Sequence, residues 1–411
     1  MSLILMIVSL PVMSVTFKVG RHYVIAADFL YLVTAALAGV ALVRREAALR
    51  WHRAYWLLAF YFAAMALSVL FSDEPMRSAA KLATQAYLLS LPVLAYTLLG
   101  EEADLRRALT AWALAGGAVG VVGLVVLFLW TLQPGNPLVL AATHAKGTLA
   151  EGNYPRLDVS FTHAAMLGNY LTVAISILLV AGKRGWIDTR LRVGLLPAMI
   201  VTAFFSLTPG LAGLWLMLGL WYWLDWRGTR PALARAALAA GAVGAAPFLV
   251  AAALTPILHP TASFLITLPG IGTLAPAARL LFWIDGWRNL VAHLPFGKGI
   301  GTDAIAVPFQ NPSGHLYTLT DAHNVYLSVG VQTGLPGLVA LVLLISFVAR
   351  SLLPLPRRLD RDAALPMGLG LAWLSGFAIQ GLVGSFEDAR FLWLLLGLFL
   401  VALDRTAEAR R

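Results

Sequence analysis

Residues 108–131 read ALTAWALAGGAVGVVGLVVLFLWT and contain no charged side chain. A helix needs about 20 mainly apolar residues to cross the hydrocarbon core of a bilayer, so this stretch predicts a membrane-spanning helix. The 411-residue chain has the same character throughout, with 60% hydrophobic residues, 12% charged residues and a mean hydropathy of +0.80. Soluble domains carry roughly 25% charged residues. The composition therefore excludes a soluble globular protein and predicts an all-α polytopic membrane protein.

Further apolar stretches predict about 12 transmembrane helices, which form a single integral membrane domain over residues 1–411. The first stretch lacks the basic start and the cleavage site of a signal peptide, so we expect it to be retained as a span. The longest connection covers residues 257–322, and connections longer than about 15 residues tend to be functional. The predicted spans are residues 3–17, 23–43, 54–71, 79–99, 108–131, 159–182, 193–208, 210–224, 234–256, 323–349, 364–384 and 390–403.

Basic residues indicate how these spans are oriented, because Lys and Arg are enriched in cytoplasmic loops. Most of the 30 basic residues follow even-numbered spans or lie at the C-terminus. Both termini are therefore predicted to be cytoplasmic, and residues 257–322 form a large outer loop. We attribute the net charge of +10 to these basic residues of the cytoplasmic loops. It therefore gives no reason to expect a nucleic acid partner. All histidines except His52 belong to the predicted outer side.

Arginines on the outer side run against this bias, which makes them candidates for binding an anion. Arg156 precedes the sixth predicted span. Arg279 and Arg288 lie within residues 275–293, which have the pattern of an amphipathic helix. Guanidinium groups bind phosphate oxygens bidentately, so the three arginines form a candidate phosphate site. The alternatives are ion pairs with aspartates or anchoring at lipid headgroups.

The polar residues Asp321, His323 and Asn324 open the tenth predicted span, directly after the outer loop. Histidine is suited to taking up a proton near neutral pH, and a neighbouring aspartate can orient the ring. These residues are therefore a candidate catalytic cluster. The alternative is a helix cap in which Asp321 is the N-cap residue.

Four weaker features have simpler interpretations. The glycine-rich residues 296–302 predict a tight turn, with backbone contacts to an anion as the alternative. Asp28 is an intramembrane carboxyl, which indicates either function or a bond to a neighbouring Ser or Thr. The charges of residues 387–390 are expected to pair with the outer arginines, and residues 360–362 to form a solvated loop. The chain has no cysteine and no cluster with metal-ligand spacing, so we predict a metal-free site.

Six motifs occur in an order that resembles the O-antigen ligase and polymerase superfamily over about residues 150–400. The resemblance implies a GT-C-like glycosyltransferase architecture of about twelve helices with one large periplasmic loop. The turn at residues 208–210 departs from the pattern, because many relatives have a Ser-Arg pair there. The motifs are Arg156-Leu157 with Phe161-Thr162-His163, ARLLFW at 278–283, PFGKG at 295–299, HNVYL at 323–327, TGLPG at 333–337, and Ser385-Phe386 with Arg390 and Trp393.

The resemblance implies an inverting glycosyl transfer at the periplasmic face of the bacterial inner membrane. The donor would be an undecaprenyl-diphosphate-linked glycan, and the acceptor of an O-antigen ligase is a sugar hydroxyl of lipid A–core. His323 is then the expected catalytic base, and Arg156 and Arg279 neutralise the leaving diphosphate without a cofactor. Arg288, Asn324 and Asp321 are the further expected substrate contacts.

Other functions fit the same sequence. An O-antigen polymerase or a protein O-oligosaccharyltransferase would use the same donor with another acceptor. A transporter or flippase of lipid-linked glycans belongs to a different class, and it would need a site near the bilayer midplane. The polar residues instead gather at the predicted outer rim, which favours the ligase.

Overall fold

The computed structural model of the protein describes residues 1–19, 22–46, 48–143, 155–254, 266–268, 272–274, 278–310, 316–353, 356 and 359–409. Helices predominate in this part of the chain, and six of them are long and apolar enough to cross a membrane. The protein is thus a mostly helical, multi-pass membrane protein, as its composition predicts. The six are Ala26–Val43, Glu102–Leu132, Ala164–Arg184, Pro231–Leu249, Val325–Ser351 and Arg361–Leu382.

The helices and strands are named in chain order. Helix α13 continues through a π-helical turn, Leu374–Ile379, and a 3-10 turn, Gln380–Leu382. The elements are α1 Ser2–Ser9, β1 Thr16–Val19, β2 His22–Ile25, α2 Ala26–Val43, α3 Tyr55–Leu70, α4 Pro75–Leu98, α5 Glu102–Leu132, α6 Pro137–Ala141, α7 Ala164–Arg184, α8 Thr189–Phe204, α9 Leu211–Trp226, α10 Pro231–Leu254, β3 Ile266–Leu268, β4 Gly272–Leu274, α11 Ala278–Ala292, β5 Val307–Gln310, β6 Leu316–Leu319, α12 Val325–Ser351, α13 Arg361–Trp373 and α14 Arg390–Ala409.

Each predicted span after the first overlaps a helix, but the prediction of a spanning helix at residues 3–17 is wrong. Helix α1 has 8 residues, which rise about 12 Å against the roughly 30 Å of a bilayer core. Pro11 lacks the N–H needed to continue the helix, and the chain turns into the antiparallel hairpin β1–β2. Two further hairpins, β3–β4 and β5–β6, lie in the predicted outer loop, so the fold is not wholly α-helical.

Helix α7 is the central helix of the bundle, with side chains buried on every face. Because neighbouring parts of the protein cover these faces, α7 lies inside the bundle and not at its lipid-facing surface. Two of its polar side chains, Asn169 and Ser176, donate to the carbonyls of Gly376 and Gly368, both at 2.8 Å. Glycines allow the two helices to approach closely, as small residues do between membrane helices. These hydrogen bonds tie α7 to α13 and its π-helical continuation.

Residues 360–362 do not form the solvated loop that the sequence predicts. Asp360 is the N-cap of α13, since its Oδ1 accepts a hydrogen bond from the Ala363 N–H at 2.7 Å. Asp362 forms an ion pair with Arg184 at the end of α7. The motif therefore fixes the start of α13 against α7.

The glycine-rich turn packs against the TGLPG motif of α12. Gly334 has a positive φ of 67° and breaks the helical geometry inside α12. The carbonyl of Pro295 accepts from the Leu335 N–H at 2.9 Å, and the Lys298 N–H donates to the Val331 carbonyl at 2.8 Å. A Cβ at Gly334 would lie 2.0 Å from the Pro295 oxygen. Only glycine therefore fits where the turn crosses the helix.

The backbone N–H groups of the glycine-rich turn donate hydrogen bonds to other residues of the protein. The amide of Gly299 donates to the Gln332 carbonyl at 3.1 Å, and that of Ile300 to Ser68 Oγ at 3.2 Å. The Gly301 N–H donates to Gln332 Oε1 at 2.8 Å. The prediction of a tight turn is confirmed, and the alternative of an anion-binding turn is wrong.

Replacing Gly334 with alanine is expected to lower the free energy of unfolding by about 3 kcal/mol, because positive φ and the contact with Pro295 both oppose a Cβ. Thermal unfolding of the purified protein in detergent would measure this. Gly39→Ala in α2 is the matched control, since no atom lies within 4 Å of the added methyl group. Equal melting temperatures for the two variants would contradict the assigned strain.

Candidate functional site

The segment before α12 folds around the carboxylate of Asp321. Its Oδ1 accepts from the backbone N–H of His323 at 2.8 Å and also from the Ser385 hydroxyl. Its Oδ2 lies 3.0 Å from His323 Nδ1. An Nδ1–H directed at a carboxylate leaves the lone pair on Nε2, so Nε2 is the nitrogen that can accept a proton.

Asp321 is held in its ionised form. Burial acts to raise its pKa, but hydrogen bonds from His323 and Ser385, together with the charge of His323, outweigh burial and hold the pKa of Asp321 well below its usual range. The carboxylate therefore keeps its charge at neutral pH. A fixed negative charge beside Nδ1 stabilises an imidazolium once Nε2 has taken up a proton.

The backbone at the candidate site is strained at three positions. His323 has a φ of 48°, Val159 of 54° and Leu207 of 50°. A positive φ is uncommon outside glycine and costs about 1–3 kcal/mol, and such strain is concentrated at functional sites. Val159 lies close to Arg156 in the chain. Leu207 lies close to it in space, because it follows Ser206, whose carbonyl accepts from Arg156 Nε. The strained residues therefore lie near Arg156 as well as at His323.

The N-cap of α12 is Asn324, so the alternative with Asp321 as the cap is wrong. Asn324 Oδ1 accepts from the N–H groups of Tyr326 at 3.0 Å and Leu327 at 3.1 Å. Its Nδ2 donates to the carbonyl of Leu382 at 3.2 Å. Both ends of the amide thus hold α12 in place next to His323. The expected contact of Asn324 with a substrate stays a prediction.

Arg279 lies within electrostatic range of both Arg156 and Asp321. Desolvation by burial, with a smaller effect from the positive charge of Arg156, lowers the pKa of Arg279 to about 10, whereas Asp321 acts to raise it. Arg279 is therefore still charged at neutral pH. Its Nε is buried and has no hydrogen-bond partner among the residues that the structure describes. Two guanidinium groups thus lie next to the Asp321–His323 pair.

Arg156 is positioned by a turn between helices α8 and α9. Its Nε donates to the Ser206 carbonyl at 3.3 Å, and the Leu157 N–H donates to the Phe205 carbonyl at 2.8 Å. Buried Thr208 belongs to the same turn, where its hydroxyl accepts from the Gly210 N–H at 3.4 Å. The turn that departs from the superfamily pattern therefore supports Arg156.

Part of the chain matches a known protein family. Residues 194–342 match the family model described as O-antigen ligase. The chain is similar to the O-antigen ligase family over these residues. The matched residues include Arg279, Arg288, Asp321 and His323, while Arg156 and Ser385 lie outside them. No curated protein matches the chain.

The third predicted arginine, Arg288, lies apart from the other two. It follows Arg279 by nine residues in α11, which turns it to the opposite side of the helix at 3.6 residues per turn. Arg288 is exposed and lines an open groove of about 550 Å³ between α11 and the start of α12. The groove is otherwise lined by Trp283, Ile284, Trp287, Asn324, Tyr326, Leu327 and Leu382.

Asp28 has a structural partner that the sequence did not reveal. Its carboxylate binds Arg390 through two hydrogen bonds, Nε to Oδ1 at 2.6 Å and a terminal guanidinium nitrogen to Oδ2 at 3.0 Å. The hydroxyl of Tyr87 donates to Oδ1 at 3.0 Å. The alternative prediction, that Asp28 bonds to a neighbouring Ser or Thr, is wrong. Asp28 instead ties α2 to the start of α14 and to α4.

The outer turn at residues 387–390 does not pair with the outer arginines as predicted. Asp388 forms an ion pair with Lys81 and accepts from Gln85 Nε2 at 2.7 Å. Glu387 Oε1 accepts from the Ser328 hydroxyl at 2.6 Å, while its Oε2 is buried without a partner among the described residues. The turn therefore joins α14 to α4 and to α12 behind the candidate site.

Burial raises the pKa of Glu387 to about 7, helped by the negative charges of Asp388 and Asp321, while the hydrogen bond from Ser328 acts in the opposite direction. A raised pKa means that the folded protein binds this proton more tightly than the unfolded chain, so Glu387 stabilises less as the pH rises from about 4.5 to about 7. Glu387→Gln is expected to melt above the wild type at pH 8 and close to it at pH 5. A difference that is independent of pH would contradict this.

Proposed function

We propose that this protein belongs to the O-antigen ligase family and is the ligase itself. It would transfer a glycan from undecaprenyl diphosphate to a sugar hydroxyl of lipid A–core, with inversion, at the periplasmic face of the bacterial inner membrane. The observation that carries the proposal is the buried, unpaired Arg279 Nε with Arg156 beside it, next to the Asp321–His323 pair. This arrangement offers charge for a diphosphate and a base for a hydroxyl within one site.

The two arginines would bind the donor diphosphate. When the bond between the anomeric carbon and the diphosphate oxygen breaks, the electron pair stays on the leaving group and its negative charge grows. Guanidinium groups that are fixed in a site of low dielectric stabilise such charge most effectively, because they need no reorganisation. Arg279 Nε is buried and Arg156 Nε donates to the Ser206 carbonyl, so we expect both to be positioned before the reaction begins.

His323 would take the proton of the acceptor hydroxyl. As the hydroxyl oxygen attacks the anomeric carbon, its proton passes to Nε2, and Asp321 stabilises the resulting imidazolium through Nδ1. A single displacement of this kind inverts the anomeric configuration. The groove lined by Trp283, Trp287 and Arg288 opens beside Asn324, and its apolar walls with one cation suit a lipid-borne substrate near the base.

The test is a transfer assay with purified protein in liposomes, supplied with undecaprenyl-diphosphate-linked glycan and lipid A–core in excess EDTA. A glycan-bearing lipid A–core product that forms with wild type in EDTA is the expected result. Lengthening of the donor alone would make the protein a polymerase, and a glycosylated protein serine would make it a protein O-oligosaccharyltransferase. Transbilayer movement of the donor without any new glycosidic bond would make it a transporter.

A further inference from the structure

A second large cavity lies at the opposite end of α12 from His323. Helix α12 runs over 27 residues, from Val325 beside His323 to Ser351 at its other end. The cavity encloses about 660 Å³ between the start of α3, the last turn of α12 and the facing ends of α13 and α14. It lies at the end of the bundle that is predicted to be cytoplasmic, and the transfer mechanism makes no use of it. Its lining includes Trp51, His52, Arg53, Arg350, Leu403 and Asp404.

The charged groups of this cavity that can bind a ligand are two arginine side chains. Arg53 and Arg350 are exposed, and the guanidinium carbon of Arg53 lies 5.7 Å from the ring centre of Phe347. Asp404, the one acidic residue among the described lining residues, accepts from the Tyr96 hydroxyl and lies 3.7 Å from His52 Nε2. The carboxylate is therefore engaged within the protein, and two guanidinium groups remain to meet an anion.

An apolar groove begins where the polar cavity ends. Trp51 lines the cavity and also a groove of about 330 Å³ between α3 and α4. The groove is walled by apolar side chains that include Leu58, Phe62 and Val93. The indole of Trp51 is 60% exposed, as expected for a tryptophan at the level of the lipid headgroups. A charged cavity joined to an apolar groove has the shape of a site for an amphiphile.

We propose that the cavity and groove bind an anionic phospholipid, with its phosphate on Arg53 and Arg350 and one acyl chain in the groove. Guanidinium groups bind phosphate oxygens bidentately, and basic pockets between membrane helices on the cytoplasmic side bind anionic headgroups. The lipid would join α3 to α12, two helices that connect this end of the bundle with the end that carries His323. The site is independent of the glycan transfer proposed above.

The experiment is a lipid titration of the full-length protein in detergent, followed by native mass spectrometry. Phosphatidylglycerol is the anionic probe and phosphatidylcholine the zwitterionic one. The double variant Arg53→Gln with Arg350→Gln is expected to bind phosphatidylglycerol about 25-fold more weakly than wild type, as each arginine near an anionic surface contributes roughly fivefold. The double variant Arg106→Gln with Arg190→Gln removes the same charge at exposed positions outside the cavity and is expected to bind as wild type does.

A third variant tests whether the ligand is a whole lipid. Ala59 is an exposed residue in the wall of the groove, so Ala59→Trp would fill the groove and leave the arginines in place. It is expected to weaken phosphatidylglycerol binding and to leave glycerol 3-phosphate binding unchanged. Equal affinity for the two lipids, or an equal loss in the control double variant, would overturn the proposal. Glycerol 3-phosphate that binds as tightly as phosphatidylglycerol, with no effect of Ala59→Trp, would also overturn it in favour of a small-anion site.

Discussion

His323→Ala is expected to lower the turnover number for glycan transfer by about 10²- to 10⁴-fold, the usual contribution of a general base. The ring is held at Nδ1 by Asp321, so Nε2 is fixed in position and tautomer, and alanine removes the proton acceptor. The two arginines remain and continue to stabilise the leaving diphosphate, so a residual rate should persist. Initial rates at saturating donor and acceptor would measure the loss in turnover.

The control for this variant is His293→Ala. His293 belongs to the same predicted outer region, but its Nδ1 lies 2.8 Å from the Asn289 carbonyl and it is not part of the Asp321 cluster. Its replacement is expected to change turnover by less than about threefold, as for a substitution away from the reacting groups. An unchanged turnover in His323→Ala, with both variants folded, would remove the base from the proposed mechanism.

The fold was largely predictable because membrane spans are local features of a sequence. A run of apolar residues must be helical in lipid, where every backbone group needs an internal partner. The amphipathic pattern at residues 275–293 likewise predicted α11, found at Ala278–Ala292. The first span failed because Pro11 and the residues of the following hairpin override its apolar composition. The average hydropathy of a window does not register a single proline.

The site was predictable in its residue types but not in its contacts. Asp321 and Asn324 are both good capping residues, and the choice depends on the Leu382 carbonyl, which lies on another segment of the chain. Asp28 and Arg390 are separated by 362 positions, and Glu387 and Ser328 by 59. No local sequence pattern predicts such pairs. One partner of Arg156 is likewise a backbone carbonyl, that of Ser206, which carries no signal in the sequence.

Arg279→Gln is expected to lower turnover by about 10²- to 10³-fold, the typical cost of removing one fixed donor that stabilises charge in the transition state. Arg288→Gln is the matched control, because it removes the same charge from the opposite side of the same helix. Its effect is expected mainly in the KM for the lipid-borne substrate of the groove, since Arg288 lies away from the arginine pair.

The split between kcat and KM is the informative part of this comparison. A residue that acts only on the developing diphosphate charge lowers kcat and kcat/KM together, whereas one that binds substrate and transition state equally raises KM alone. Arg279→Lys refines the test, because lysine keeps the charge but loses the planar fork, and should restore only part of the rate. Equal kinetic effects at Arg279 and Arg288 would mean that helix α11 acts through its overall charge, and the diphosphate would then have to bind elsewhere than between Arg156 and Arg279.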